Sequence, residues 1–273
     1  MKRRHLIEIE DQSWCPGSIR NAGTDYLQFI LAVTKAYAPT VPLLAKALAR
    51  TGTRHILDLC SGGAGPWLAL QPVLADLGVP VTVCLSDKYP NLEAFQRSSR
   101  VSNGAITYHP QPVDATRVPA ELPAFRTMFT AFHHFTPSQG RAILENAMQQ
   151  RQGIAIFEAT ERSILALLLT LLAPVHLLAL TPFVRPFRWS RLLWTYLLPV
   201  LPLITLFDGL VSCLRTYSVQ ELRDLIAELG ENDFHWEVGT VRSRRSLTPI
   251  SYLIGVPPVN ADEATLSRSA PSK

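Results

Sequence analysis

Charged residues are scarce in this sequence, and its lysines and arginines are scattered instead of forming a stripe. Charged residues make up 18% of the 273 residues, and the net charge of +4 comes from lysines and arginines scattered along the chain. Without a basic stripe or patch, the composition gives no sign of nucleic-acid binding. A mildly basic surface could still face anionic lipid.

Cysteine pairs are also missing. The four cysteines are far apart and form no C-x-x-C pair: Cys15, Cys60, Cys84 and Cys213. This spacing predicts neither a disulfide framework nor a metal site, and it favours a reducing, cytoplasmic setting. The start, Met1 to His5, continues into acidic residues instead of an apolar run, so we expect no secretory signal.

The most informative stretch is 55–67, which reads HILDLCSGGAGPW. Apolar residues around Asp58 predict a short buried strand, the glycine-rich segment after it predicts a tight turn, and Pro66 suits the first turn of a helix. A strand, a glycine turn and a helix start bring bare backbone close to a ligand. Because Asp58 would repel a pyrophosphate, we expect a ligand with a cationic amino-acid end.

These residues resemble the first motif, D/E-x-G-x-G-x-G, of class I S-adenosylmethionine-dependent methyltransferases. Cys60 stands at the first glycine position, Ala64 at the third, and Gly65 comes one place late. The resemblance implies that S-adenosylmethionine is the cofactor. Its methionine end would contact Asp58 and the following turn, namely Cys60, Ser61, Gly62, Gly63 and Gly65.

Two further acidic residues follow predicted strands. The apolar run 79–86 ends at Asp87, where a nucleotide-binding sheet places an acid that accepts hydrogen bonds from the ribose hydroxyls. Lys88 and Tyr89 come next, and the Tyr89 ring is a candidate cover for one adenine face. After a third strand, the resemblance places Asp114 on the adenine amino group and the Ala115 backbone on a ring nitrogen. A turn cap is an equally good interpretation of Asp114.

Candidate catalytic groups follow the fourth and fifth predicted strands. The fourth, 126–132, leads through Ala131, a predicted cofactor contact, into His133 and His134. Histidine titrates in the range that suits a base for a hydroxyl acceptor, and His133 is the first choice because it is nearer the strand. A structural histidine is the alternative for either ring. Glu158 ends the fifth strand as a candidate base or anchor, but an ion pair with Arg162 is the favoured alternative.

An apolar segment interrupts the pattern after the fifth strand. Residues 164–184 and 192–207 hold no charged residue, and 185–191 between them is basic and aromatic. The first run is long enough to cross a bilayer, but prolines interrupt both, so a hairpin that enters one leaflet is favoured. A hydrophobic cap folded over the active site is the alternative.

The whole pattern predicts an α/β fold: a Rossmann-like seven-stranded, mostly parallel sheet with an antiparallel last strand, helices on both faces, and a hydrophobic helical insertion after strand 5. We expect an N-terminal helical cap over 1–52, a core over 53–160 and 214–257, the insertion over 161–213, and a disordered tail over 258–273. In the cap, a helical region from Thr24 to about Arg50 follows an irregular start. Arg20 and Tyr26 are candidate contacts there, although solvent and core packing are the favoured alternatives.

The predicted activity is methyl transfer from S-adenosylmethionine to a hydrophobic or membrane-dissolved small molecule, with oxygen favoured over nitrogen or carbon. The predicted location is the cytoplasmic face of a membrane, without nucleic-acid partners. Two alternatives stay open: a membrane-associated scaffold that keeps the fold without catalysis, and a nicotinamide-dependent oxidoreductase. The oxidoreductase is disfavoured because it needs G-x-G-x-x-G, which the turn lacks. The sequence identifies neither the acceptor nor the oligomeric state.

Overall fold

The computed structural model describes residues 1–242 and 247–258, and its centre is a seven-stranded sheet. The strands run in the order β3-β2-β1-β4-β5-β7-β6, with β7 antiparallel to both of its neighbours and the other pairs parallel. Their bounds are β1 His55–Leu59, β2 Thr82–Leu85, β3 Ile106–Tyr108, β4 Phe125–Phe129, β5 Ile154–Glu158, β6 His235–Val241 and β7 Ile250–Val256. This topology confirms the predicted fold class.

Helices cover both faces of the sheet, and adjacent residues of β1 show the two layers. Ile56 packs into an apolar cluster on one face and Leu57 into a cluster on the other, as the alternation of a strand requires. Both clusters are continuous and buried, so the sheet is fixed from both sides. The helices before the insertion are α1 Gly17–Thr34, α2 Val41–Thr51, α3 Trp67–Asp76, α4 Leu92–Val101 and α5 Pro137–Gln149.

Capping explains where several helices begin. Thr136 and Ser218 each form a full capping box, and these boxes start α5 and α10 (Val219–Ala227). The S/T-x-x-E/Q pattern at 136–139 and 218–221 predicts both of them. The N-terminal helix differs from the prediction, because α1 begins at Gly17, seven residues before Thr24. Its first turns are held by packing against the insertion, which local sequence patterns do not report.

The fourth strand is shorter than predicted. It ends at Phe129 because Thr130 has a positive φ of 46°, which breaks the extended backbone, and a 3-10 turn follows at Phe132–His134. The sequence also predicts a basic turn at 242–245, of which only Arg242 belongs to the described residues. The predicted disordered tail likewise lies outside them beyond Pro258.

The insertion forms four helices: α6 Ile164–Thr170, α7 Ala173–Leu180, α8 Trp189–Leu192 and α9 Val200–Arg215. A 3-10 turn at Thr181–Phe183 and a π turn at Leu193–Leu197 complete it. The insertion packs on α1 through a third apolar cluster, which includes Tyr26 from α1 and Leu177 from α7. Tyr26 therefore has the packing role that the sequence favoured for it.

A buried ion cluster fastens the insertion to α1. Asp25, on α1, accepts from Arg191 at 2.6 Å and from Arg188 at 3.0 Å, and Asn91, which caps α4, donates to it at 3.1 Å. Two of the three arginines in 185–191, Arg188 and Arg191, thus form ion pairs within the protein instead of facing solvent or lipid. Arg185 is exposed, as are the neighbouring rings of Phe187 and Trp189.

Parts of the chain meet the length and composition of a membrane span. The helical region Ile164–Phe183 spans 20 residues with a mean hydropathy of 2.3 in its most apolar window. Two bent helix pairs, Gly17–Thr34 with Ala38–Thr51 and Trp189–Leu197 with Val200–Arg215, would also qualify if each pair were one span. By these criteria, the described residues contain one to three candidate spans.

Candidate active site

The turn after β1 has the left-handed backbone that a glycine motif provides. Gly62 and Gly65 have φ values of 52° and 50°, and so do the two residues that depart from the motif, Cys60 at 56° and Ala64 at 87°. A left-handed L-residue costs about 1–2 kcal/mol. The turn thus keeps the expected shape at these non-glycine positions, at the expense of local strain.

Helix α1 lies directly on this turn. A Cβ placed on Gly63 would lie 2.5 Å from the carbonyl oxygen of Thr24, so only glycine allows this approach. The side chain of Thr24 also lies over Gly62. The N-terminal helix therefore closes one side of the glycine turn, as expected for a cap.

Asp58 lies beneath the turn rather than on the ligand side. It is buried, and its carboxylate accepts from Ser61 Oγ and from Thr127 Oγ1, each at 2.7 Å. Burial raises the pKa of Asp58 to about 6. The predicted direct contact with the cationic end of a ligand is therefore corrected: Asp58 supports the turn from below, and the backbone of the turn faces outward.

Asp87 connects the end of β2 to the same turn. Its Oδ2 accepts from the Gly62 N–H at 2.8 Å, and its Oδ1 accepts from the Tyr89 N–H at 2.8 Å. The carboxylate is half-buried and faces a cavity of about 440 Å³ at the carboxyl ends of the parallel strands. Doubly wound folds bind ligands at this edge.

Most of the predicted cofactor residues line this cavity. The turn contributes Cys60, Ser61, Gly62, Gly63 and Gly65, and the other strand ends contribute Asp87, Lys88 and Ala131. Apolar side chains that line the cavity come from α1, from the end of β4 and from the loop after it, namely Leu27, Leu31, Phe129 and Phe135. The cavity thus combines a polar floor of backbone with an apolar wall.

Three predicted cofactor residues are not on the cavity wall. Asp58 is beneath the turn, Ala115 is buried in the core, and Asp114 is exposed and accepts from the Thr116 N–H at 2.9 Å. The structure gives Asp114 the turn-capping role that the sequence left as the alternative. Its Oδ1 accepts from both the N–H and the hydroxyl of Thr116, and the adenine contact stays a prediction.

Arg20 and Tyr89 form a stacked pair at the rim. The Arg20 guanidinium lies 4.1 Å from the centre of the Tyr89 ring and donates to the backbone oxygens of Glu10 and Gln12. The sequence favoured a solvent-facing Arg20, but this side chain ties the N-terminal segment to the cavity rim. Both residues line the cavity.

His133 and Glu158 form a buried pair that does not line the cavity. His133 Nδ1 lies 2.7 Å from Glu158 Oε2, and Glu158 Oε1 accepts from the backbone N–H groups of Ala131 and Phe132. Burial alone would raise the pKa of Glu158, but His133 and the Phe132 N–H outweigh it and lower that pKa. Neither side chain lines the cavity, so the predicted first-choice base, His133, has no access to a ligand there.

The favoured partner of Glu158 was also wrong. Arg162 pairs with Glu221 at 2.6 Å instead, because Glu221 begins α10 close to the end of β5 while Glu158 turns back toward the loop after β4. Glu158 thus positions that loop and is neither a base nor a substrate anchor at the cavity.

His134 is the histidine that reaches the cavity. Its Nδ1 lies 2.8 Å from Asp11 Oδ1 and 3.2 Å from Glu8 Oε2. Burial alone would lower the pKa of His134, but Glu8 and Asp11 raise it to about 9. The ring is then protonated at neutral pH, so the structure does not support the predicted role of His134 as a proton acceptor.

Three further charged residues lie beside the histidines although no local sequence pattern predicted them: Glu8, Asp11 and Arg215. Arg215, at the end of α9, donates to the backbone oxygens of His133 and His134 and pairs with Asp11 at 2.9 Å. Glu8 and Asp11 belong to a segment without helical or strand periodicity, so the only available signal was its acidity. The N-terminal segment closes the cavity next to the two histidines.

The apolar insertion does not cap the cavity wall. None of the residues 164–207, all of which the structure describes, lines it. The insertion instead supports the outer side of α1, whose other side faces the turn. The alternative of a hydrophobic cap over the site is corrected accordingly.

The strand order and the glycine turn give the chain the fold of the class I S-adenosylmethionine-dependent methyltransferases, as the resemblance predicted. No family model matches the chain, and no curated protein matches it.

Several solved structures are similar to the chain. One is magnesium protoporphyrin IX methyltransferase (ChlM) from Synechocystis PCC 6803 with bound SAH. It shares 12% identity over 82% of this chain and 84% of its own, with a TM-score of 0.45. A SAM-dependent methyltransferase from Aquifex aeolicus shares 14% identity over 86% of this chain and 97% of its own, with a TM-score of 0.47. PigF with SAH shares 18% over 90% of this chain and 63% of its own, with a TM-score of 0.48.

Proposed function

We propose that the protein is an S-adenosylmethionine-dependent methyltransferase acting on a hydrophobic small molecule. The observation that carries this proposal is the position of the Asp87 carboxylate, which joins the backbone of the glycine turn at the floor of the cavity. A carboxylate at the end of a second parallel strand suits a ribose diol, because its oxygens accept from both hydroxyls.

The donor fits the cavity floor in one orientation. Its methionine end would lie on the turn from Cys60 to Gly65, which lines the cavity, and its ribose would lie at Asp87. Asp58 would act on the donor through the turn that it supports. The adenine would lie beyond Asp87, where Tyr89 provides an aromatic edge.

The acceptor would lie against the apolar wall formed by α1 and the end of β4. Leu27, Leu31 and Phe129 on this wall offer dispersion contacts rather than hydrogen bonds, which suits a lipophilic compound. In the transfer, the acceptor atom forms a bond to the methyl carbon while the carbon–sulfur bond breaks, and the demethylated sulfur compound leaves. The preference for oxygen stays a prediction, since neither His133 nor Glu158 lines the cavity.

Membrane contact is the second part of the proposal. Sixteen of the 27 large apolar side chains that are exposed among the described residues lie between 164 and 207. Soluble monomers rarely expose so much apolar surface, and aromatic residues such as Trp189 prefer the interface of a bilayer. The exposed Arg185 nearby would meet anionic headgroups. We propose that this surface rests in one leaflet and gives the site access to a membrane-dissolved acceptor.

Calorimetric titration with S-adenosylmethionine and its demethylated product tests the cofactor. We expect saturable binding that Asp87→Ala weakens by at least about tenfold, since charge-assisted hydrogen bonds contribute about 1.5–3 kcal/mol each. Asp76→Ala, at an exposed site on α3, is the matched control. If the folded wild type bound neither compound, the donor assignment would be overturned and the scaffold interpretation would replace it.

Sedimentation with phosphatidylcholine–phosphatidylglycerol vesicles tests the membrane contact. We expect the wild type to sediment with the vesicles and the double variant Trp189→Ser/Leu197→Ser to stay largely in solution. The control is Leu77→Ser/Val101→Ser, which removes two exposed apolar side chains outside the insertion. Equal sedimentation of both double variants would contradict a specific contact through 164–207.

A further inference from the structure

We infer that Glu8, His133 and His134 form a binding site for a divalent transition-metal ion, with Zn²⁺ as the best match. Each residue offers one ligand atom, and the three atoms lie within 4.8 Å of one another. The site lies between the N-terminal segment and the loop after β4, beside the proposed acceptor pocket. The inference does not depend on the proposed methyl transfer.

The distances between the donor atoms are close to those of a tetrahedral ion, with Glu8 offering a different oxygen to each histidine. Zinc bound at 2.0–2.1 Å places neighbouring ligand atoms about 3.3 Å apart. His133 Nε2 lies 3.8 Å from Glu8 Oε1, and His134 Nδ1 lies 3.2 Å from Glu8 Oε2. Asp11 Oδ1, 2.8 Å from His134 Nδ1, is placed to supply a fourth ligand.

The donor atoms make only ion-pair contacts within the described residues: Glu8 Oε1 lies 3.3 Å from Arg215 Nη1, and His134 Nδ1 lies 2.8 Å from Asp11 Oδ1. Among the described residues, His133 Nε2, His134 Nδ1 and Glu8 Oε1 are buried atoms without a hydrogen bond of acceptable geometry. His133 is only 1% exposed and Glu8 2%, so water does not satisfy them from outside. Buried polar atoms in native proteins nearly always have a partner, and a shared cation would satisfy all three at once.

Glu158 provides the outer contact typical of a metal-bound histidine. Its Oε2 lies 2.7 Å from His133 Nδ1, which leaves Nε2 directed toward Glu8. A carboxylate on the far nitrogen fixes the ring orientation and makes the near nitrogen a stronger ligand. The same pair that is sealed from the cavity is therefore oriented for metal binding.

The charges around the two rings also favour a divalent ion. Three carboxylates contact the rings, from Glu8, Asp11 and Glu158, while the cation that pairs with Glu8 and Asp11 is Arg215. A metal ion would displace the proton from His134, because only a neutral imidazole nitrogen binds it, and the three carboxylates would then exceed Arg215 by two negative charges. Buried charges of one sign are costly unless they are paired or coordinate a metal. A divalent cation would neutralise these two negative charges.

Local sequence patterns could not find this site. Glu8 lies 125 residues before His133, so the ligands do not form a recognisable spacing within one helix or strand. The cysteine spacing, which predicted no metal site, says nothing about a histidine and carboxylate set. Bound metal would fasten the N-terminal segment over the edge of the sheet.

The test is calorimetric titration of the full-length, chelator-treated protein with Zn²⁺, together with elemental analysis of the protein as purified. We expect one zinc per chain. Glu8→Gln, which keeps the shape of the side chain, and His134→Ala should each weaken binding by at least about 100-fold, since losing an outer partner alone costs about 10–100-fold. Glu158→Gln should weaken zinc binding by that smaller factor of about 10–100-fold.

Titration with Co²⁺ adds a readout of geometry, because a tetrahedral site of nitrogen and oxygen ligands absorbs visible light more strongly than hydrated Co²⁺. His176→Ala, at an exposed position in α7, is the control for nonspecific histidine binding and should match the wild type. If a folded wild type bound no zinc, or if folded Glu8→Gln and His134→Ala bound it as the wild type does, the site would be refuted. Should Glu8→Gln fail to fold, the less buried His134→Ala alone decides.

Discussion

His133 Nδ1 lies 2.7 Å from Glu158 Oε2, and this contact joins the end of β5 to the loop after β4. The other carboxylate oxygen accepts from the N–H groups of Ala131 and Phe132, so a single buried side chain holds the start of the loop and its histidine. Ala131 and His134 on this loop line the cavity. The shape of the cavity therefore depends on a residue that does not touch it.

Glu158→Gln should destabilise the protein by about 2–3 kcal/mol, because a charged hydrogen-bond acceptor in a buried network is replaced by a neutral amide. Urea unfolding measures this difference. Glu145→Gln, on the exposed side of α5, should change the unfolding free energy by less than about 0.5 kcal/mol. Equal stability of the two variants would mean that the pair does not hold the loop.

Asp58 should make stability depend on pH in a specific direction. Burial raises its pKa to about 6 in the folded protein, whereas it titrates near 3.8 when unfolded. Its contribution is fully present below pH 4 and is lost as the pH rises through 6. The loss amounts to about 3 kcal/mol for a shift of about two units.

The variant Asp58→Asn cannot ionise, so its stability relative to the wild type should improve by about that amount between pH 4 and pH 8. Urea unfolding of both proteins at several pH values measures the difference, from which other titrating groups cancel. Asp76→Asn should show a constant difference. A pH-independent difference for Asp58→Asn would show that Asp58 stays ionised throughout this range.

Gly63→Ala should separate α1 from the glycine turn. The new Cβ would lie 2.5 Å from the Thr24 carbonyl oxygen. Relieving this contact requires the backbone of the turn or of α1 to move, which costs stability. We expect a loss of about 1–3 kcal/mol, as for other overpacked sites, and weaker S-adenosylmethionine binding. Thermal unfolding and calorimetry measure these effects.

Gly17→Ala is the control for this substitution, because no heavy atom lies within 4 Å of its added Cβ and its φ is ordinary. It should be neutral or slightly stabilising, since alanine restricts the unfolded chain. If Gly63→Ala behaved in the same way, α1 would not rest on the turn.

Asp25→Ala should detach the insertion from α1. It leaves Arg191 buried without its carboxylate partner, and breaking a buried pair costs about 3–5 kcal/mol. We expect lower stability and faster cleavage by trypsin at the arginines of 185–191. Asp76→Ala should leave both measurements unchanged. Trypsin resistance equal to that of the wild type would contradict the role of this ion cluster.

The sequence by itself determined the succession of strands along the chain, the glycine turn, the two capping boxes and Asp87 at the end of β2. These features depend on local rules: apolar runs form buried strands, a proline or a hydroxyl starts a helix, and a parallel sheet brings successive strand ends to one edge. Even Cys60 and Ala64, which depart from the glycine motif, adopt the backbone that the motif requires.

Only the tertiary structure decided which side chains face the cavity. Glu8, His133 and Arg215 are separated by more than 80 residues at each step, yet they meet at one edge of the sheet. Two adjacent histidines differ because a 3-10 turn directs one ring inward to Glu158 and the other to the cavity. Such choices depend on long-range packing and on which buried charges are paired, and no local periodicity encodes them.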